Sequence, residues 1–175
     1  MVFFSSFPVI FTMPSYTDQT GREICIPAPP RRIISLVPSQ TEFLHDLGLS
    51  NEVVGITKFC VHPNSWFREK TRVGGTKDLR ISQILQLRPD LVIANKEENS
   101  REQIEQLAET LPVWVSDVAN LPDALDMMRS LGRITQTSAT AEKICANIES
   151  AFIHIHPAGE PFTTAYLIWR EPYMT

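Results

Sequence analysis

The sequence predicts an α/β domain: a mainly parallel sheet flanked by helices, followed by a long helical region and one further strand. Three observations carry this. Short apolar, β-branched runs recur along the first 120 residues, and segments of helical period stand between them. From Leu121 the strand-like runs stop and the pattern is almost wholly helical until a fresh β-rich run near the end.

The elements follow in order. GREICIPAPP reads as a hairpin-like entry, and Ile33, Ile34, Leu36 and Val37 form the first buried strand, ended by Pro38. Ser39 and Glu42 fit a capping box ahead of Phe43, Leu44 and Leu47, with Gly48 as the stop. Val53 to Thr57 is a second strand. Ile81, Ile84, Leu85 and Leu87 share one face of a short helix that Pro89 ends. Asp90 to Asn95 is a third strand, Ile104, Leu107 and Leu111 line a helix that starts at Ser100, and Pro112 to Asp117 is a fourth strand. Two helical stripes follow, Leu121, Ala124, Leu125, Met128, Leu131 and then Ala141, Ile144, Cys145, Ile148, Phe152, with a break between Gly132 and Ser138. The expected domains are therefore 1–20 as an extension or degenerate export signal, 21–120 as the α/β lobe, 121–157 as the helical region, and 158–175 as the start of another lobe.

Composition narrows the function. The chain has 175 residues, a net charge of −4 and no block of Lys or Arg, so it lacks the basic footprint that nucleic acid requires. Cys25, Cys60 and Cys145 are too few and too far apart for a disulfide framework or a CxxC-type zinc site. The opening MVFFSSFPVIFT is apolar but lacks a basic n-region, and it reads as a degenerate export signal or as an extension ahead of Met13.

In parallel sheets ligands bind beyond the carboxyl ends of the strands, so the loops that begin at Val37, Thr57, Asn95 and Asp117 are the ones to search. None carries a glycine-rich phosphate loop: the first strand is followed by VPSQTE. Ser39, Gln40 and Thr41 could cap the helix or donate to a polar ligand atom. The second loop, TKFCVHPNSW, holds Cys60 and His62 beside Phe59 and Trp66. Three readings stand open there: a zinc or iron ion held by Cys60, His62 and a carboxylate; a nucleophilic Cys60; or Cys60 as a buried small hydrophobe. Glu97, Glu98 and Glu102 open a helix, where they make a solvated first turn or a patch for a partner's arginines.

RIISLVPSQTEFLHDLGL, VVGITKFCVHP, RVGGTKDL and LQLRPDLVIANKEEN, with the run into PVWVSD, together resemble the amino-terminal lobe of the cobalamin and iron-siderophore solute-binding proteins of ABC importers, the class III helical-backbone type, on its cobalamin branch. The resemblance runs from about Gly21 onward. It implies a Rossmann-like lobe, a backbone helix within Asp123 to Ile155, and TTAYLIWREPYMT as the first strand of a second lobe whose remainder is absent. It implies no catalytic set and no enzyme cofactor, and a corrinoid such as cobalamin, or an iron chelate, as the ligand. Pro38, Ser39, Gln40, Thr41, Phe59, Cys60, His62, Gly75, Thr76, Lys77, Asn95 and Lys96 would line the ligand side. Glu97, Glu98 and Glu102 would dock the ABC permease. Location would be periplasmic or at the cell surface, with a cytoplasmic location open because the export signal is weak. The strand Thr164 to Trp169, left unpaired, would offer an edge for dimerisation.

Overall fold

The computed structural model describes residues 14–155, 159, 163, 165, 167, 169–170 and 173–174. The expected N-terminal extension up to Met13, and Thr164, Tyr166 and Ile168 of the expected last strand, lie outside the described residues. The chain divides into two compact units, 1–145 and 146–175.

In the first unit, β1 (Ser15–Thr17) and β2 (Glu23–Cys25) form an antiparallel hairpin, so the entry starts upstream of Gly21. Then come β3 (Ile33–Ser35), α1 (Pro38–Asp46), β4 (Val53–Ile56), α2 (Asn64–Glu69), β5 (Thr71–Arg72), α3 (Ile81–Gln86), β6 (Leu91–Asn95), α4 (Arg101–Ala108), β7 (Val113–Ser116) and α5 (Leu121–Ile134). β3 to β7 make one parallel sheet in the order β5-β4-β3-β6-β7. The expected α/β class holds. Because the chain runs outward from β3 to β5 and then returns to β6 on the other side of β3, the order reverses between β3 and β6. That is the crevice where such sheets take ligands.

Alternation along the strands builds two cores. Ile33, Leu91, Ile93 and Trp114 point to one face, against Phe43 and Leu44 of α1 and Leu131 and Ile134 of α5. Ile34, Val92, Ala94, Val113 and Val115 point to the other, against Ile84 of α3 and Ile104 and Leu107 of α4. Burial on both faces is why these strands read as unbroken apolar runs.

Several local expectations change. Ser39 is not the cap of α1: Val37 holds that position without a side-chain hydrogen bond, and Pro38 opens the helix, where its missing N–H costs nothing. Gly48 does end it, at φ +81 with its N–H on the His45 carbonyl. Leu85 is 43% exposed, since a six-residue α3 buries only the line through Ile84. α2 and β5 are too short for a periodic signal, and the sequence reading passed over both.

The helical region is carried by α5 and α6 (Ser138–Ile153). Asn120 caps α5 by accepting from the Asp123 N–H at 3.0 Å. The break lies at 135–137, where Gln136 has φ +58. The second unit holds the remainder of α6 and a small antiparallel hairpin, β8 (Trp169–Arg170) with β9 (Tyr173–Met174). Trp169 therefore pairs within its own unit, in register with Met174.

The free edge of β7 is covered by the turn of the N-terminal hairpin. The Gln19 N–H donates to the Val115 carbonyl at 3.1 Å, and the Gln19 side chain accepts from the Asp117 N–H at 3.0 Å and donates to the Asp123 carbonyl of α5 at 2.8 Å. Asp18 anchors that turn. Its buried carboxylate accepts from the N–H groups of Thr20 and Arg22 and from the Arg22 guanidinium.

Candidate ligand-binding site

The carboxyl ends of β3, β4, β6 and β7 open onto one face, and their loops are tied together from below. Asn99 is the centre of this tie. Its buried side chain accepts from the Asn95 N–H at 2.9 Å and donates to the Thr76 carbonyl at 3.0 Å and toward the Leu36 carbonyl at 3.4 Å. Lys77 crosses from the β5–α3 loop to donate to the Glu97 and Asn99 carbonyls. Asn95 accepts from the Glu97 and Glu98 N–H groups and donates to the Ser116 hydroxyl, which also receives the Gln40 amide. Asn99→Ala should therefore cost about 1–3 kcal/mol, because it leaves a buried N–H and two carbonyls unpaired. Equilibrium urea unfolding would measure this.

The expected ligand residues separate into two layers. Phe59 is 51% exposed, and His62, Ser39, Lys77 and Lys96 are exposed as well, with Pro38, Thr76 and Asn95 half-buried. These stand on the open face. Gln40, Thr41 and Cys60, expected on the same face, are buried beneath it. The Cys60 thiol, wholly buried, lies 3.1 Å from both the Thr41 and the Thr57 hydroxyls, and it serves as core. His62, on the same loop, is exposed, and among the described residues no cluster of three or more His, Cys, Asp or Glu could hold a metal ion. The nucleophile reading is not favoured either: among the described residues the sulfur's hydrogen-bonding neighbours are these two hydroxyls and not a base.

Phe59 is held rather than loose. Its ring lies under the Lys58 ammonium, 5.1 Å from the centroid, and against Gly75, where a Cβ would come within 3.2 Å of both side chains. Gly75 thus serves the face through its lack of a side chain. The sequence reading missed Val61, 48% exposed in the same loop, and Val118, exposed beyond β7. The alternation of apolar residues at 59 and 61 was the available signal. Trp66, by contrast, is buried in α2 with its ring edge-on to His45.

Lys96 pairs with Asp117 at 2.7 Å across the ends of β6 and β7, and the Asp117 carboxylate raises the ammonium's pKa. Glu97, Glu98 and Glu102 are exposed at the start of α4. The Ser100 hydroxyl bonded to Glu102 holds that carboxyl below its usual range.

Residues 33–160 match the family model described as periplasmic binding protein. The chain belongs to this family. Among its relatives, a vitamin B12-binding protein of Pectobacterium carotovorum is 26% identical over 151 residues, covering 85% of this chain and 54% of that protein. An uncharacterized ABC transporter substrate-binding lipoprotein of Bacillus subtilis is 26% identical over 137 residues, 76% of this chain and 43% of its own length. The crystal structure of the periplasmic vitamin B12 binding protein of Vibrio cholerae superposes with a TM-score of 0.65 at 25% identity, covering 71% of this chain and 49% of that one. The chain spans about half the length of the curated relatives it matches. Among the described residues no helix is long and apolar enough to cross a membrane.

Proposed function

We propose that this chain is the first lobe of a solute-binding protein that takes cobalamin or a related metal chelate for an ABC importer. One observation carries the reading: Phe59 and Val61 stand exposed at the carboxyl end of β4, on a face whose loops are cross-tied by Asn99 and Lys77. A rigid apolar wall with a few small polar groups around it, here Ser39, Thr76 and Asn95, suits a large flat ligand. The names of the matched relatives favour the corrinoid end of that class. No catalytic role is proposed for any residue.

Glu97, Glu98 and Glu102, exposed together, are proposed to meet arginines of the permease, and a periplasmic or cell-surface location goes with that role. The domain reading of a first lobe, a helical region and the start of a second lobe stands as part of this proposal.

The test is a titration with cyanocobalamin, followed by calorimetry, of the chain alone and of the chain joined to the second half of the Pectobacterium relative. Saturable binding by the joined protein, weakened about tenfold by Phe59→Ala, is the expected outcome. Failure of the joined protein to bind any corrinoid would overturn the cobalamin assignment.

A further inference from the structure

A cavity of about 310 Å3 opens between the hairpin turn, the first turn of α4 and the ends of β6 and β7. Its floor is apolar, made by Ile104 and Val115. Its rim carries three cations, Arg22, Lys96 and Arg101, each beside a carboxylate partner.

Each of the three cations has a carboxylate partner at 2.7 Å, Arg22 the buried Asp18, and Lys96 and Arg101 the more exposed Asp117 and Glu105. These pairs leave donors over. Arg22 uses Nε and Nη2, and Arg101 uses Nε alone, so Nη1 of the first and both terminal nitrogens of the second have no protein partner among the described residues. Acceptors are scarcer. Asn95 and Asn99 spend their side-chain oxygens on backbone N–H groups, Glu102 is engaged by Ser100, and Glu97 stands beside Lys96. The volume lies at the small end of ligand pockets, which run from roughly 300 Å3 upward.

We propose that this cavity binds a small aliphatic carboxylate, with its alkyl part on Ile104 and Val115 and its oxygens on the rim of Arg22, Lys96 and Arg101. Guanidinium groups present planar forks that match a carboxylate, and an apolar floor beneath them selects an anion with a short hydrocarbon part over a bare inorganic ion. The site shares Asn95 and Lys96 with the ligand face, whereas Phe59 and Val61, which carry the solute reading, take no part in it.

Sodium isobutyrate, titrated into the full chain while backbone amide 1H–15N shifts are followed, tests it, with isobutyramide and sodium chloride as matched controls. Saturable shifts at Thr20, Asn95, Asn99 and Ile104 with isobutyrate alone are expected. Arg101→Gln, an exposed change that leaves the thermal transition in place, should weaken binding about tenfold, the loss of a charge-assisted contact. Ile104→Phe, which fills the floor, should abolish it, and Arg101→Gln decides alone if that variant does not fold. An absence of saturable shifts, an equal response to the amide, an equal response to chloride (an adventitious ion only), or an Arg101→Gln titration identical to the parent's would each overturn the proposal. A chain that fails to bind corrinoids but passes this test loses the solute assignment and keeps this site.

Discussion

Replacing Asp18 by alanine is expected to lower the unfolding free energy by about 3 kcal/mol, the upper end of the cost of leaving shielded donors without an acceptor. Its effect should appear as a shift in urea midpoint with an unchanged slope. The reason is the number of donors that converge on one shielded side chain. Oδ1 receives the Thr20 N–H at 2.9 Å, the Thr20 hydroxyl at 2.8 Å and the Arg22 N–H at 2.9 Å, while Oδ2 receives the Arg22 fork at 2.9 and 2.7 Å. The Val115 N–H of β7 lies 3.3 Å from Oδ2 as well. Alanine strands all of them, whereas Asp18→Asn keeps one oxygen and should cost less.

The same residue sets an acid limb. Burial on its own raises the Asp18 carboxyl, but the hydrogen bonds from the Arg22 N–H, the Thr20 hydroxyl and the Arg22 side chain outweigh it and hold the group below its ordinary value. A lowered folded-state pKa contributes stability in full above the unfolded value, about 3.9, and loses it as the pH falls from there through the folded value. Stability should therefore drop on acidification below about pH 4, and Asp18→Asn should flatten that part of the curve. An acid limb equally steep in the variant would assign the dependence to other carboxylates.

Gly74→Ala is the second large effect, expected at about 2–4 kcal/mol from left-handed backbone strain added to a clash. Gly74 has φ +108, and a Cβ there would come within 2.3 Å of the Asp78 carbonyl oxygen and 2.9 Å of the Arg80 nitrogen, both backbone atoms that cannot swing aside. The Gly74 carbonyl also accepts the Lys58 N–H at 2.8 Å, so displacing this turn displaces the loop that carries Phe59. Gly75→Ala makes a useful contrast. Its Cβ meets the flexible ends of Lys58 and Phe59 at 3.2 Å, so the ring should move while most of the stability is kept. Chemical denaturation of both variants, beside ligand titration, would separate the two effects. Equal stability loss in the pair would contradict the distinction drawn between backbone and side-chain neighbours.

The sheet was legible because its strands are buried on both faces and so read as dense apolar runs such as LVIA before Asn95. β5 was not, since two residues held at a sheet edge leave no pattern. The candidate site was legible by position and only partly by residue. Phe59 and Cys60 are neighbours in sequence, yet one stands half in solvent and the other is sealed under Thr41 and Thr57, a difference that depends on how the loop leaves β4. Asn99 went unnoticed because an asparagine ahead of a helix looks like ordinary turn chemistry. Its three partners come from the ends of three different strands or loops, and no local window contains them.

The hairpin turn that covers β7 has a consequence for the order of events during synthesis. Asp18 and Gln19 leave the ribosome well ahead of the groups they bind on Val115 and Asp117, which lie 97 and 98 residues downstream. Until those residues emerge, the buried carboxylate of Asp18 lacks the strand it is built to cover, and the last sheet edge cannot be sealed. Closing so long a loop is entropically late. Asp18 and Gln19 are thus made well before β7 yet find their places only after it, and β7 stays a bare edge until they close on it.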